Sequence, residues 1–185
     1  MNSFLFVFSC IFIQNVVFVQ FLGIDFKDSF FKDFKLFAVF SAAIIALTTI
    51  SAILAWLLNY YLLIPYGLVY LQLFSFVLII LLCSFFLKLL AQKMCFFKSF
   101  NWNLITMNSV VLGVCILSIQ KEQSFLSSLS FSFFSSVGFV LVFFLLLGIQ
   151  ERLENSEMPK TFKGVPLLFF CISILAMVFY CFNSI

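Results

Sequence analysis

The sequence predicts an all-α integral membrane protein, with six transmembrane helices in two inverted three-helix repeats forming a single domain over residues 1–185. Three observations point there. The first is composition: 65% of the residues are hydrophobic and only 9% are charged, whereas a soluble domain uses about a quarter of its residues as Asp, Glu, Lys or Arg to solvate its surface. At about 20 apolar residues per crossing, this content corresponds to roughly six crossings and leaves little for a folded domain outside the bilayer. The second is that the basic residues sit in alternate loops. The third is a short polar motif that recurs three spans apart.

Charged residues and helix breakers place the spans at about 3–24, 36–59, 66–87, 102–119, 124–149 and 165–183. The first span begins at Met1-Asn2-Ser3-Phe4 with no positive region before it, and Phe8-Ser9-Cys10 is a poor cleavage site. It therefore reads as a retained helix and not as a signal peptide. The second ends at Asn59-Tyr60-Tyr61 and the third starts at Pro65-Tyr66-Gly67, so the turn between them is short, aromatic and uncharged. Tyr and Trp at such ends suit the lipid headgroup region. The third span, Val69 to Leu87, is the clearest, its apolar run crossed by neutral polar residues such as Gln72 and Ser75. The fourth carries Asn108-Ser109, the fifth runs down to Glu151-Arg152, and the sixth follows Lys163-Gly164.

Positively charged loops are retained on the cytoplasmic side, so the distribution of Lys and Arg sets orientation. Lys27, Lys32 and Lys35 follow the first span, Lys88, Lys93 and Lys98 the third, and Arg152, Lys160 and Lys163 the fifth; the opposite face has only Lys121. Nine against one puts both termini outside the cytoplasm. The motif Asn15-Val16-Val17 with Leu22-Gly23 returns as Asn108-Ser109-Val110-Val111 with Leu112-Gly113. Three intervening crossings invert the second copy, as in membrane proteins whose sites lie between inverted repeats.

Several functions are excluded or disfavoured. The absence of His removes His-based metal sites and the usual general base of hydrolases. The net charge of +3 is spread over separate groups, so the partner is the lipid bilayer and not nucleic acid. Cys10, Cys83, Cys95, Cys115, Cys171 and Cys181 contain no C-x-x-C pair and read as small buried hydrophobes. No Asp, Glu, Lys or Arg falls in mid-span, which counts against a self-contained pump or transporter. The polar residues inside spans, namely Gln14, Asn15, Gln20, Thr48, Thr49, Gln72, Thr106, Asn108 and Ser109, read mainly as hydrogen-bonding groups between helices. Asn15, Gly23, Asn108 and Gly113 mark the surface where helices would break or pack closely.

The run from Gln14-Asn15 to Gln20-Phe21-Leu22-Gly23-Ile24 resembles a known family. So do Ala55-Trp56-Leu57-Leu58, Leu62-Leu63-Ile64-Pro65 and Leu68-Val69-Tyr70-Leu71. Leu104-Ile105-Thr106-Met107-Asn108, Leu112-Gly113-Val114, Ser136-Val137-Gly138-Phe139, Glu151-Arg152-Leu153, Met158-Pro159 and Phe162-Lys163-Gly164 continue the likeness in order. The family is the A-type membrane component of the Rnf (or Rsx) ion-translocating electron-transport complex, from which this chain is divergent. The E-type component of the sodium-pumping NADH:quinone reductase is a related, poorer match. The resemblance implies a six-helix component of a redox-driven translocase, not an enzyme by itself, paired with a homologous subunit of opposite topology within the larger Rnf complex. It also implies a [2Fe-2S] centre shared between the pair, with electron flow coupled to Na⁺ or H⁺ transport.

The resemblance further implies one Cys ligand per repeat, and the two corresponding positions here are Asp25 and Ser109. Thiolates are the standard protein ligands of such clusters; a carboxylate is an occasional substitute and a neutral hydroxyl a poor one. A degenerate ligand site is therefore expected, with the metal content unknown. The charged run Asp25-Phe26-Lys27-Asp28 departs from the family's small apolar continuation, and 31 Phe suggest compositional drift of an AT-rich bacterial genome. Two other readings stand beside this one: a structural or assembly protein that no longer transfers electrons, and a component of the sodium-pumping reductase. Reporter fusions after Lys35, Lys98 and Lys163 should read as cytoplasmic and those near Tyr61, Glu122 and Ile185 as external; reversal at two or more sites refutes the topology.

Overall fold

Hydrocarbon offers no water to backbone N–H and C=O groups, so a spanning segment must satisfy its own backbone. The computed structural model describes residues 3–13, 15–20, 34–92, 105, 108–120, 124–154 and 165–181, and among them every regular element is helical. Helix α1, Ser3–Phe8, runs into a π-helical turn, Ser9–Ile13, and after Asn15 the chain resumes as α2, Val16–Gln20. Helix α3, Phe34–Leu58, continues through a π-helical turn at Asn59–Leu63. A 3₁₀ turn at Val69–Leu71 leads into α4, Gln72–Gln92. Helices α5, Ser109–Gln120, α6, Phe125–Glu154, and α7, Val165–Tyr180, follow.

Three stretches are long and apolar enough to cross a membrane: Leu36–Leu63 with 28 residues, Val69–Ala91 with 23 and Phe125–Ile149 with 25. At about 1.5 Å per residue even the shortest exceeds a hydrocarbon core of about 30 Å. Ser109–Gln120 and Phe169–Tyr180 are shorter apolar helices. The expected spans 36–59, 66–87 and 124–149 thus each contain a continuous long helix, whereas within 3–24 and 102–119 the helices α2 and α5 start just after an Asn.

Helix α3 is the centre of the packing and touches α4, α5 and α6. Phe37 meets Phe143 with ring centroids 6.2 Å apart, Phe40 meets Phe143 at 5.2 Å, and at the other end Trp56 meets Phe125 at 5.3 Å, so α3 and α6 run antiparallel. Ile44, Leu47, Phe76, Val110, Val111, Val114 and Phe139 fill the space between them. Small buried residues let the backbones approach: Ala52 and Ala55 on α3, and Ser128, Ser132, Ser135 and Ser136 on α6. The outward faces of α4 and α7, with Phe74, Phe86, Leu90, Phe170 and Met177, are exposed and apolar, as lipid requires.

Thr48 and Thr49 do not bond between helices as the sequence suggested. Thr48 Oγ1 donates to the carbonyl of Ile44 at 2.8 Å and Thr49 Oγ1 to that of Ile45 at 2.7 Å, both within α3. The carbonyl one turn back is always within reach of such a hydroxyl, so this bond needs no alignment of a neighbouring helix. Between helices, the hydroxyls of Ser118 on α5 and Ser128 on α6 bond each other. Cys10, Cys83 and Cys115 are buried in the apolar interior, Cys171 is half-buried and Cys181 is exposed; Cys95 lies outside the described residues.

Candidate functional site

A helix that stops inside a bilayer leaves carbonyls unpaired on one side of the break and N–H groups unpaired on the other. Asn15 answers both. Its Nδ2 donates to the carbonyl of Ile11 at 2.9 Å, on the side of the π-helical turn. Its Oδ1 accepts from the backbone N–H of Val17 at 3.0 Å, the N-cap bond of α2. Asn15 itself is fully buried; its bond to Val17 is buried and that to Ile11 partly so.

The second copy of the motif repeats the capping half of this device. Asn108 Oδ1 accepts from the N–H of Val110 at 3.0 Å, and the Asn108 carbonyl accepts from Val111 at 3.3 Å, starting α5. Asn108 is half-buried. The two capped helices then meet, since α2 packs on α5 and also on α6. The internal echo seen in the sequence is therefore a pair of N-capped helix starts brought into one cluster.

Gly138 of α6 closes the cluster. A Cβ at this position would lie 2.9 Å from the carbonyl oxygen of Ile11, 3.1 Å from Ile11 Cα and 3.1 Å from Asn15 Nδ2. The neighbours at the shortest distances are backbone atoms, which cannot swing away as a side chain can. The sequence carried Gly138 only as part of a family resemblance; its packing against a break some 120 residues earlier has no local signal. The buried serines of α6 were also missed, although Ser128, Ser132, Ser135 and Ser136 recur at helical spacing in an otherwise apolar segment.

Of the other expected site residues, Ser109 is the half-buried first residue of α5, and Gly113 lies half-buried one turn further on. Asp25 and Gly23 lie outside the described residues. Ser109 brings a neutral hydroxyl, and Cys115, six residues on, projects about 120° away around the helix. No group of three or more His, Cys, Asp or Glu side chains that would hold a metal occurs among the described residues. At Ser109, the one of the two positions that is described, the donor is a hydroxyl and not the thiolate usual for an iron–sulfur centre.

The architecture is that of an all-helical membrane protein in which two Asn-capped helix starts meet. The Rnf-Nqr family, described as Rnf-Nqr subunit, membrane protein, matches residues 3–185, and this chain belongs to it. Similar proteins include the A component (RnfA) of the ion-translocating oxidoreductase complex of Aromatoleum aromaticum, 34% identical over 171 residues that make up 90% of this chain and 89% of the relative. The protein of the same name from Pseudoalteromonas translucida is 31% identical over 177 residues, 94% of this chain and 92% of the relative. That of Shewanella pealeana is 32% identical over 181 residues, with the same two coverages of 94% and 92%.

Gly138→Ala should destabilise the protein by about 1–3 kcal/mol, because the added methyl group meets backbone that cannot yield. Gly148→Ala, on the same helix with nothing within 4 Å of its Cβ position, should be neutral or mildly stabilising. Unfolding of the purified variants in detergent measures the difference, and equal stability of the two would remove Gly138 from the cluster.

Proposed function

We propose that this chain is the RnfA-type membrane component of an Rnf-type ion-translocating electron-transport complex in a bacterial inner membrane. The observation that carries the reading is the end-to-end match to relatives bearing that name, 34% identical over 90% of the chain in one case. The chain crosses the membrane six times with both termini periplasmic, an arrangement supported by the nine-to-one placement of Lys and Arg. Its partner is a homologous subunit of opposite topology, met through the surface around Asn15, Gly23, Asn108 and Gly113. Co-purification tests this surface. Gly23→Leu or Gly113→Leu should abolish recovery with that partner, because a larger side chain holds the helices apart and forfeits many dispersion contacts together. Cys83→Ala and Cys171→Ala should not. Unchanged recovery in both glycine variants refutes the interface.

The cofactor reading departs from the family. With Asp25 and Ser109 at the two ligand positions, the chain contributes no thiolate there to a shared [2Fe-2S] centre. The same substitution favours a second reading, a structural or assembly protein in which electron transfer through this chain has been lost. In the purified complex, the visible absorption and reduced-state EPR signal of a membrane [2Fe-2S] centre should be missing, and Asp25→Cys combined with Ser109→Cys should shift the complex towards binding one. A cluster at full occupancy in the unaltered complex overturns this and makes Asp25 or another group a ligand.

A further inference from the structure

No charged residue occurs between Lys35 at the start of α3 and Lys88 near the end of α4. These two lysines mark one face of the membrane, and they allow the opposite face to be located twice over. Twenty residues, about 30 Å of hydrocarbon, counted from Lys35 along α3 reach Ala55. The same length counted back from Lys88 along α4 reaches Leu68, again for about 30 Å. Both counts end at the same place in the hairpin, just before Trp56 on one arm and just after Gly67 on the other. The turn between them lies beyond the hydrocarbon.

That turn is unlike an aqueous loop. Tyr60, Tyr61, Leu62, Ile64 and Tyr66 are all more than half exposed, Tyr66 at 72%. Trp56 stacks on Tyr60 at 5.1 Å, and Tyr60 meets Tyr61 edge-on at 5.2 Å. The backbone is also largely closed on itself. Ile64 N–H donates to the Asn59 carbonyl at 3.0 Å, Tyr66 N–H to Leu62 at 3.3 Å, Gly67 N–H to Ile64 at 3.2 Å, and Leu68 N–H to Leu63 at 2.9 Å. Pro65 has no N–H to satisfy, and Gly67, at φ +67°, completes the reversal in a conformation that side chains disfavour. A turn destined for water has no need of internal partners for its amides, whereas a turn held in a layer poor in water does.

We infer that residues 56–67 form an interfacial anchor that rests in the glycerol and phosphate layer of the leaflet opposite the lysines, gripping phospholipid through tyrosine rings and hydroxyls without recognising headgroup charge. Aromatic side chains with a polar tip are suited to this layer. The absence of Lys and Arg from the turn means that anionic lipid adds nothing to its binding. The choice of leaflet rests on the proposed orientation, but the depth does not, so the two fail separately.

Fluorescence quenching in phosphatidylcholine vesicles tests the depth with the full-length chain. Trp102→Phe leaves Trp56 as the sole tryptophan, and Trp56→Phe with Trp102→Phe and Tyr66→Trp moves the reporter to the tip. The tip reporter should be quenched most by the lipid brominated nearest the headgroup, with aqueous iodide at least about threefold less effective than on free tryptophan amide. Trp56, at the hydrocarbon edge of the anchor, should likewise be quenched by brominated lipid in preference to iodide, and this native reporter needs no change in the turn itself. Replacing a third of the lipid with phosphatidylglycerol should leave both profiles unchanged. Iodide quenching of the tip equal to that of the free amide places the turn in water and overturns the anchor. Quenching by neither lipid nor iodide means that protein covers the turn, which also overturns it, and a depth that moves with phosphatidylglycerol overturns charge-blind binding.

Discussion

The structure depends on one constraint: inside a bilayer, a broken helix has no water to mend it. Asn15 supplies one partner on each side of the first break, donating to the Ile11 carbonyl at 2.9 Å and accepting from Val17 at 3.0 Å. Hydrogen bonds between neutral groups are modest in net stabilisation, but an unpaired buried group costs its full desolvation. The break is therefore tolerable only with this residue, or one of like donor and acceptor capacity, in place. Its geometry then passes to its neighbours. Because the amide must face Ile11 and Val17, α6 can come close only where it has no side chain, at Gly138. Once α6 is set there, the Phe37, Phe40 and Phe143 rings and the Trp56–Phe125 contact align it along α3.

Two kinds of information with different tolerance to change are superposed in this chain. The packing of α3 against α6 asks for volume and apolarity, and Phe, Leu and Ile serve almost interchangeably when the total is preserved. This accommodates 31 Phe in a chain only about a third identical to its relatives. A metal-ligand position, by contrast, asks for a particular donor atom, which no change of volume elsewhere can supply.

Much of the fold was legible because a membrane leaves few options. Apolar length and the places where Lys recurs identify α3, α4 and α6, although α4 runs on past Lys88 and α6 past Arg152, because a helix in lipid need not end where charge begins. The repeated Asn motif was also visible as a spacing. Its meaning was not, because a side-chain amide in an apolar run reads equally as a bond to another helix and as a cap on its own. Thr48 and Thr49 show the same ambiguity resolved the same way, towards the local carbonyl.

By itself the sequence determined the solvent, the helical class, the uncharged aromatic turn between α3 and α4, and the donor types at positions 25 and 109. These follow from composition and from residue identity, which need no knowledge of what lies nearby. Only the tertiary structure decided that Asn15 and Asn108 cap the starts of α2 and α5, that these two helices meet, that Gly138 closes on Ile11, and that Ser118 and Ser128 bond across helices. The physical reason is that each of these is a matter of close approach. An unpaired carbonyl, a missing methyl group or a hydroxyl looks the same along the chain whatever faces it, and acquires its consequence when another helix arrives within bonding distance.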